Sequence, residues 1–584
     1  MATTFPAIGK PGVDEMPVKP NLDYEKTLGN FQWADMYAEL DWLPGGWLNK
    51  AHEAIDRHAN GSKRDKVAMI WEGKNGEQET YTFGEMKTLT NRFANVLKSL
   101  GIQKGDRVFL FMDRLPELYI AFFGILKVGA IAGPLFSAFG PDPVRDRLQD
   151  SGAKVLITQP DLRRRITGII PELFELEHIV IVNKDNRDPQ PRDPADLDYV
   201  EEMAKASADF DIVETSQFDY SIMHYTSGTT GKPKGAVHRH QAAVQHYATG
   251  KWVLDLHEDD IYWCTADPGW VTGTSYGMMA PWTNGVTQLI YEGGFRASAW
   301  YEMIQKHKVT VWYTAPTAIR MLMKAGDEVP KRYDLSSLRY MNSVGEPLNP
   351  EAVVWGVTVF GMPFHDNWWQ TETGAILCAN YPGMEVRPGS MGRPIPGIEL
   401  GIVDDDYKQV GPDTDGNLVV RPGWPSMFHT YWNNTEMYNS KFRGGWYVTG
   451  DRARVDKDGY FWFQGRADDV INTAGHLVGP FEVESALIEH PAVAEAGVIG
   501  KPDPIAMEVV KAFVALNEGY EATTELRNEI TRFSREKLSA AIAPREIEFV
   551  ASLPKTRSGK IMRRLLKARE LGLPEGDTST LEED

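Results

Sequence analysis

The sequence predicts an α/β protein with parallel sheets, followed by a smaller α+β unit. In the first 180 residues, short and continuously apolar runs alternate with runs at helical spacing. This alternation is typical of buried parallel strands covered by helices. After about residue 466 the runs change to short strand-like segments between two helical stretches. The length of 584 residues allows roughly two to four domains.

The elements of the first part are predicted in chain order. A helical stretch opens at residues 81–86 and continues to Leu100. Residues 183–194 hold three prolines among polar residues, which indicates a surface loop. Between these segments, a helix is predicted at 116–128 and strands are predicted at 108–112, 130–135, 154–158 and 179–182.

Residues 118–140 have the length of a membrane span and carry one charge, Lys127. A charge near the middle of a span is costly in lipid. Glycines and Pro134 also interrupt the segment. We therefore interpret it as a buried helix, a tight turn near Gly129 and a buried strand.

The second part is predicted to be a small α+β domain of about 115 residues. Its acidic last twelve residues are expected to fray. The predicted strands cover 494–499, 509–516 and 547–550, and the predicted helices cover 523–539 and 559–571.

Composition limits the possible classes of protein. The net charge of −19 argues against non-specific binding to nucleic acid and against a basic membrane-surface protein. Two cysteines, Cys264 and Cys378, do not make a disulfide framework or a cysteine-rich metal cluster. No apolar run follows a charged segment at the N-terminus, so we expect a cytoplasmic protein without a secretory signal.

The densest functional signal is YTSGTTGKPKG, from Tyr225 to Gly235. Its glycines let the backbone approach a ligand, and its hydroxyls, N–H groups and lysines suit an anion. It is not a Walker A loop, because two residues separate Gly228 from Gly231 and Pro233 follows Lys232. The alternative is a polar surface loop without a ligand.

The string YTSGTTGKPKG resembles the phosphate loop of the adenylate-forming superfamily, which includes the acyl-CoA synthetases. Five further segments match that superfamily in the same order: 343–347 (SVGEP), 368–374 (WWQTETG), 447–451 (YVTGD), 465–469 (GRADD) and 554–560 (PKTRSGK). The matches extend over roughly residues 80–570. The details of 368–374, 269–273 and 554–564 resemble most closely the members that activate acetate.

The resemblance implies ATP and coenzyme A as substrates and Mg²⁺ as the metal. Glu372 and Thr230 are assigned to the metal and, with Lys560, to catalysis; in isolation a glutamate such as Glu372 is more often a capping residue. Asp451 is assigned to the ribose, although an Asp451–Arg466 pair alone would be interpreted as a salt bridge. The full ATP/AMP set implied is Thr226, Ser227, Gly228, Thr229, Gly231, Lys232, Gly345, Glu346, Pro347, Asp366, Asn367, Trp368, Gln370, Thr371, Asp451, Phe463 and Arg466.

Trp369 is predicted to set the size of the acid substrate. In the acetate-activating relatives a tryptophan directly before the Gln-Thr-Glu run blocks the acyl pocket, and Trp369 stands at that position. The alternative is a tryptophan buried as core. Val271, Thr272 and Val344 are predicted to complete the pocket wall. Acetate is the first choice and propionate the near competitor, because one methylene is discriminated by only about 1–3 kcal/mol.

The resemblance implies an N-terminal AMP-binding domain, 1–466, and a mobile C-terminal lid domain, 467–584, with its hinge at Asp468. Lys560 is assigned to adenylate formation, although seven basic residues between 555 and 569 could simply form a solvated face. The resemblance also leaves open that the protein is a homo-oligomer and that Lys560 is acetylated. Coenzyme A is assigned to Arg163, Arg164, Gly475, His476 and Arg535, with Arg163 and Arg164 on a loop.

One residue departs from the acetate-activating pattern. These relatives have an arginine, thought to contact phosphate, directly after the Gly-His pair, and this chain has Leu477. The expected function is an AMP-forming acetate–CoA ligase that acts through an acetyl-adenylate. The alternatives are a synthetase for propionate or another short acid, and a nucleotide-binding protein that has lost its chemistry.

Overall fold

The computed structural model describes most of the chain. The residues outside it are 1–4, 10–15, 17, 191, 227–232, 468, 474–475, 505, 539–541, 557–559, 576–577, 579–580 and 582–584. Within the described ranges, the strands form two large mixed sheets, a smaller antiparallel sheet and a C-terminal mixed sheet.

The first large sheet has a parallel centre and antiparallel edges. Its strand order means that helices carry the chain from one parallel strand to the next. In spatial order its strands are Arg393–Pro394, Cys378–Ala379, Phe364–Trp368, Tyr340–Ser343, Val311–Thr314, Ile261–Cys264, Thr287–Tyr291, Val67–Glu72 and Gln78–Thr82.

The second large sheet is parallel except at one edge, where the strands Tyr220–Thr226, Lys234–Arg239 and Thr430–Tyr431 pair antiparallel. In spatial order its strands are Thr430–Tyr431, Lys234–Arg239, Tyr220–Thr226, Ile131–Leu135, Arg107–Phe111, Val155–Thr158, His178–Ile181 and Leu197–Asp198.

Two five-stranded sheets follow. The antiparallel sheet contains Leu400–Val403, Gly416–Val420, Phe442–Arg443, Trp446–Val455 and Phe461–Arg466. The C-terminal sheet contains Ile471–Thr473, His476–Val478, Val493–Asp503, Met507–Leu516 and Glu546–Phe549. The domain boundary at residue 466 stays a prediction.

The helices of the described chain cover the sheets. They are Tyr24–Leu28, Trp33–Ala38, Arg57–Ala59, Phe83–Ser99, Pro116–Lys127, Pro141–Ser151, Pro160–Arg165, Tyr199–Lys205, Ala242–Trp252, Val271–Thr274, Ala280–Thr283, Ala297–His307, Pro316–Ala325, Pro350–Phe360, Thr435–Ser440, Pro480–Ile488, Thr524–Leu538 and Arg563–Leu571. Short 3₁₀ turns occupy Thr167–Glu172, Lys184–Asn186 and Pro330–Arg332, and π-helical turns occupy His52–Asp56 and Ser275–Met279.

The elements predicted for the first part are confirmed to within about two residues at their ends. The helix Phe83–Ser99 begins at a capping box, in which Thr82 Oγ1 accepts from the Glu85 N–H and Glu85 Oε2 accepts from the Thr82 N–H. This reciprocal cap satisfies two backbone donors at the helix start.

The apolar segment 118–140 is a buried helix, a turn and a buried strand, as predicted. Gly129 has φ of 76°, which explains the glycine at that turn. Among the described residues, no helix is long and apolar enough to cross a membrane.

Three predictions were wrong in detail. Arg163 and Arg164 lie on the helix Pro160–Arg165 and not on a loop; Pro160 fits the first helical turn, because its missing N–H has no partner there anyway. The helix predicted from 559 begins at Arg563. The helix Pro480–Ile488 was missed, because its apolar residues form only short runs that glutamates separate.

Lys127 shows how the core accommodates a charge. Its side chain is fully buried, and its ammonium lies 2.7 Å from Asp56 Oδ2 and donates to Asn91 Oδ1 at 2.6 Å. Burial lowers the pKa of Lys127, and Asp56 opposes that shift. The ion pair therefore lets a charged residue sit inside the apolar helix.

We predict that Asp56→Ala destabilises the protein by about 3–5 kcal/mol, because it leaves the buried Lys127 charge without its counter-ion. Urea unfolding followed by tryptophan fluorescence measures this loss. The control is Asp142→Ala, which removes the exposed partner of Arg145 and should leave unfolding unchanged. Equal stability of the two variants would contradict this account of Lys127.

Candidate functional site

A cleft of about 1210 Å³ opens at the carboxyl ends of the parallel strands. Thr226, Ser343 and Trp368 end three of these strands, and loops after parallel strands are the usual place for ligands in open α/β sheets. Residues of the C-terminal part also line the cleft, among them Pro480, Phe481, Ala494, Glu495, Ala551, Ser552, Lys555, Thr556, Lys560 and Arg563. The cleft is therefore enclosed by both parts of the chain.

Most of the predicted site residues line this one cleft. They are Thr226, Val271, Thr272, Val344, Gly345, Glu346, Pro347, Asp366, Asn367, Trp368, Trp369, Gln370, Thr371, Glu372, Asp451, Phe463, Arg466 and Lys560. The predictions for Ser227, Gly228, Thr229, Thr230, Gly231, Lys232, Asp468 and Gly475, and for the side chains of His476 and Leu477, lie outside the described residues.

Asp451 lines the cleft, and neighbouring side chains hold its carboxylate. Its buried carboxylate accepts from Trp368 Nε1 at 3.0 Å and from Gln370 Nε2 at 2.8 Å, both on Oδ2. Arg466 Nε lies 3.5 Å from Oδ1. Burial raises the pKa of Asp451, and Arg466 opposes this most strongly. Two donors and a guanidinium thus hold a carboxylate facing the cleft.

Gln370 links Asp451 to the turn that follows the strand Phe364–Trp368. Its Nε2 also donates to Thr449 O at 3.0 Å, and its Oε1 accepts from the Tyr447 hydroxyl at 3.1 Å. Every polar atom of the amide is therefore bonded, so the orientation of the turn relative to Asp451 is determined.

Glu372 projects from the same turn and is half-buried. Its Oε1 accepts from the Tyr431 hydroxyl at 2.7 Å, and within the described chain Oε2 has no hydrogen-bond partner. Burial lowers the pKa of the nearby Lys234, and Lys441 adds to the effect, whereas Glu372 opposes it. Sequence reasoning missed Tyr431, for which no motif gave a signal.

The chemistry of this donor set fits Mg²⁺, which is commonly held by one or two carboxylates together with substrate phosphates. Glu372 supplies one carboxylate at the cleft, and among the described residues its Oε2 is left for such a ligand. In the described part of the chain, no group of three or more His, Cys, Asp or Glu side chains is arranged to hold a metal ion.

The segment 343–347 forms another wall. Gly345 has φ of 96°, a conformation that favours glycine. Glu346 accepts from the Thr317 hydroxyl at 2.9 Å and pairs with Arg320 at 2.8 Å. Asp366 is buried, and burial raises its pKa to about 8 although it accepts from two backbone N–H groups. Arg320 carried no signal in the sequence.

The residues predicted for the acyl pocket all line the cleft. Val271 and Thr272 begin the helix Val271–Thr274, and Val344 follows the strand Tyr340–Ser343. The half-buried Trp369 packs edge-on against the Tyr276 ring, with centroids 5.0 Å apart and planes at 72°. Their role as the wall of an acyl pocket stays a prediction.

Lys560 enters the cleft from the C-terminal part. More than a third of its surface still meets solvent because the cleft is open, although protein groups surround it. Desolvation by these walls lowers its pKa, and Arg466 and Arg563 act in the same direction, whereas Glu346 and Asp451 oppose them. Lys560 therefore lies in the electrostatic field of the two walls just described.

A hydrogen bond joins the two parts of the chain, in which Asn349 Nδ2 donates to Ser485 Oγ at 2.9 Å. Within the C-terminal part, Arg563 pairs with the buried Glu484, which orients the start of the last helix beside Lys560. Arg563 was not among the predicted residues, because nothing in the basic run distinguished it.

Of the residues assigned to coenzyme A, Arg163, Arg164 and Arg535 are described with their side chains and do not line the cleft. Arg163 Nε donates to Asp196 Oδ2 at 2.9 Å, and Arg164 pairs with Asp188. Arg535 lines a separate open groove with Arg527 and Arg532. These assignments stay predictions.

Comparison with known proteins gives consistent matches. The family model of the AMP-binding enzymes matches residues 55–432, and that of the AMP-binding enzyme C-terminal domain matches residues 482–560. The chain is 54% identical to an acetyl-coenzyme A synthetase of Bacillus subtilis, over 96% of this chain and 97% of that protein. It is 42% identical to one of Methanothrix thermoacetophila, over 94% and 87% of the two chains.

Solved structures agree on the fold. The anthranilate CoA ligase AuaEII, in complex with anthranoyl-AMP, matches with a TM-score of 0.83 and 33% identity, over 93% of this chain and 99% of that chain. An acyl-CoA synthetase of Brucella canis matches with a TM-score of 0.74 and 37% identity, over 94% and 99%.

We predict that Gly374→Ala destabilises the protein more than Gly361→Ala does. Both glycines have φ near +75°, so each alanine incurs about 1–2 kcal/mol of backbone strain. A Cβ at Gly361 has nothing within 4 Å, whereas one at Gly374 lies 2.2 Å from Ser426 O. Thermal unfolding of the two variants measures the difference. A Gly374→Ala protein as stable as Gly361→Ala would show that the turn beside Glu372 is not tightly constrained.

Proposed function

The chain belongs to the family of AMP-binding enzymes, and from this membership we propose that it is an AMP-forming acetate–CoA ligase. The observation that carries the proposal is the convergence of Asp451, Glu372, Trp369 and Lys560 on one cleft enclosed by both parts of the chain. Two acetyl-coenzyme A synthetases, 54% and 42% identical to the chain, match nearly its whole length.

In the first half-reaction, an acetate oxygen attacks the α-phosphorus of ATP. The new P–O bond gives acetyl-adenylate, and the bond to the β-phosphate oxygen breaks to release diphosphate. Both reactants are anions, so the protein must supply positive charge and alignment. We assign the positive charge and the alignment to Lys560 and to Arg466. Arg466 lies beside Asp451, the carboxylate that is assigned to the ribose.

Glu372, together with Thr230, would hold Mg²⁺, which neutralises phosphate charge when bound. Asp451 is suited to accept both ribose hydroxyls, because its position is determined by Trp368 and Gln370. Gly345, Glu346 and Pro347 form the turn against which we place adenine.

In the second half-reaction, the sulfur of coenzyme A attacks the acyl carbon. The C–S bond forms, the C–O bond to AMP breaks and the thiol proton is released. We propose that the C-terminal domain, 467–584, rotates about Asp468 between the two steps, so that Lys560 gives way to the segment around Gly475. Such hinges at element ends are a common form of domain switching.

The arrangement described here suits the first half-reaction, since Lys560 faces the cleft. Arg535, in its basic groove with Arg527 and Arg532, would meet the coenzyme A phosphate after the rotation, because clustered guanidinium groups bind phosphate well. Arg163 and Arg164 would have to exchange their present carboxylate partners to contribute.

Propionate is the second candidate substrate, because a pocket closed by Trp369 discriminates one methylene by only about 1–3 kcal/mol. A panel of acetate, propionate, butyrate and pentanoate, assayed by acid-dependent ATP–diphosphate exchange and by thioester formation, tests the proposal. Acetate should give the highest kcat/KM. If no acid supported exchange, the proposal would fail, and the chain would be a nucleotide-binding protein without catalytic activity.

We also propose a cytoplasmic location, a homo-oligomer and regulation by acetylation at Lys560. The last follows from the position of the amine, since acetylation removes the charge that it brings to the cleft.

We predict that Lys560→Ala lowers acid-dependent ATP–diphosphate exchange by at least about 100-fold, the size typical of losing a transition-state contact. Thioester formation from supplied acetyl-adenylate should be nearly unchanged, because Lys560 is assigned to the first step alone. The matched control is Lys567→Ala on the last helix, which should retain both steps. Equal loss of both steps in Lys560→Ala would refute the assignment.

We predict that Trp369→Gly admits acids of five carbons, because it removes the indole that closes the acyl pocket. The chain-length panel should then show pentanoate with a higher kcat/KM than acetate. If acetate stayed preferred and pentanoate stayed inert, Trp369 would not be the end of the pocket.

A further inference from the structure

We propose that Tyr276 is a specificity-determining residue that sets the depth of the acyl pocket by holding the Trp369 indole in place. This inference rests on the proposed function, because it concerns which acids the same cleft accepts. Tyr276 does not line the cleft, so its effect is exerted through Trp369 and it is a positioning residue.

The backbone around Tyr276 has an unusual form. The π-helical turn Ser275–Met279 directly follows the helix Val271–Thr274, which carries the pocket-wall residues Val271 and Thr272. Such turns are rare and are frequent at functional sites. Here the turn places a fully buried tyrosine ring directly behind Trp369.

The Tyr276 hydroxyl is held by two hydrogen bonds whose directions can be assigned. The Ile376 N–H donates to it at 2.7 Å. Thr249 Oγ1 lies 2.8 Å away and donates its own proton to Gln245 O at 2.7 Å. Thr249 is therefore the acceptor for the tyrosine proton, and both sides of the hydroxyl are satisfied.

These bonds tie the ring to the segment that follows the turn after the strand Phe364–Trp368. Ile376 lies two residues after Gly374, and the Gly374 carbonyl itself accepts from Ser275 Oγ at 2.9 Å, from the same π-helical turn. Tyr276 therefore holds a defined position relative to the turn that carries Trp369.

The ring contact limits where the indole can go. Trp369 meets the Tyr276 ring edge-on at 5.0 Å, and the Tyr313 ring backs Tyr276 on another side at 5.6 Å and 77°. Both tyrosines are fully buried, and close-packed interiors leave no room for a ring to move aside. The indole therefore cannot retreat, and a longer acyl chain meets it.

Replacing Tyr276 by leucine removes the ring edge and leaves space behind the indole. Trp369 can then withdraw, and the pocket becomes deeper. The ratio of kcat/KM for acetate to that for butyrate should fall by at least about tenfold, the range that one methylene spans in apolar pockets. Tyr276→Phe keeps the ring contact and should keep most of the wild-type ratio.

A double-mutant cycle tests the route through Trp369. In the Trp369→Gly background there is no indole to hold, so adding Tyr276→Leu should leave the acetate-to-butyrate ratio unchanged. If Tyr276→Leu shifted the ratio equally in both backgrounds, the tyrosine would act on the acid directly and the proposal would fail.

The matched control is Tyr301→Leu, which removes another fully buried tyrosine that does not line the cleft, on the helix Ala297–His307. It should lower stability without changing the ratio. Because both acids are measured on one preparation, the ratio does not depend on the folded fraction.

A crystal structure of Tyr276→Leu separates this inference from the proposed function. Displacement of the Trp369 indole toward the vacated space supports the inference even if no acid is turned over. An indole in its original place overturns it, whatever the activity of the wild-type enzyme.

Discussion

The buried carboxylate of Asp451 is the interaction on which the cleft depends. It receives Trp368 Nε1 and Gln370 Nε2 on one oxygen and faces Arg466 with the other. A buried carboxylate is stable only when donors surround it. The strand Trp446–Val455 and the turn after Phe364–Trp368 are thus held together by one charge. In the proposed mechanism the nucleotide ribose and the reacting acid bind against these two segments.

The same charge balance connects the cleft to the C-terminal part. Lys560 lies among two cations, Arg466 and Arg563, and two anions, Glu346 and Asp451. Without a ligand the amine is partly desolvated and close to other positive groups, so its pKa is lowered. Bound phosphates would supply the missing negative charge and favour its protonated form. The net charge of −19 bears on solubility, whereas the positive side chains at the cleft bear on ligand binding.

Much of the architecture was predictable, because buried parallel strands and capped helices leave local patterns. The helix Phe83–Ser99 and the interrupted apolar segment 118–140 were found from periodicity and glycines alone. Six motifs, matched in order, predicted most of the site residues that line the cleft. Arg320, Tyr431 and Arg563 were not found, since a partner chosen by tertiary contact carries no local signal. The same holds for Tyr276, whose role follows from a π-helical turn and from a ring contact with a residue 93 positions away. Arg163 and Arg164 looked like free charges in sequence, but nearby aspartates neutralise them in the fold.

We propose that one cleft holds the ribose at Asp451, the α-phosphate near Lys560 and the acyl group at Trp369. A crystal structure with an alkyl ester of AMP, a stable analogue of the acyl-adenylate, tests this arrangement. We expect both ribose hydroxyls on Asp451, the phosphate within reach of Lys560 and the alkyl group against the Trp369 indole. A nucleotide bound elsewhere, or an alkyl group pointing away from Trp369, would contradict it.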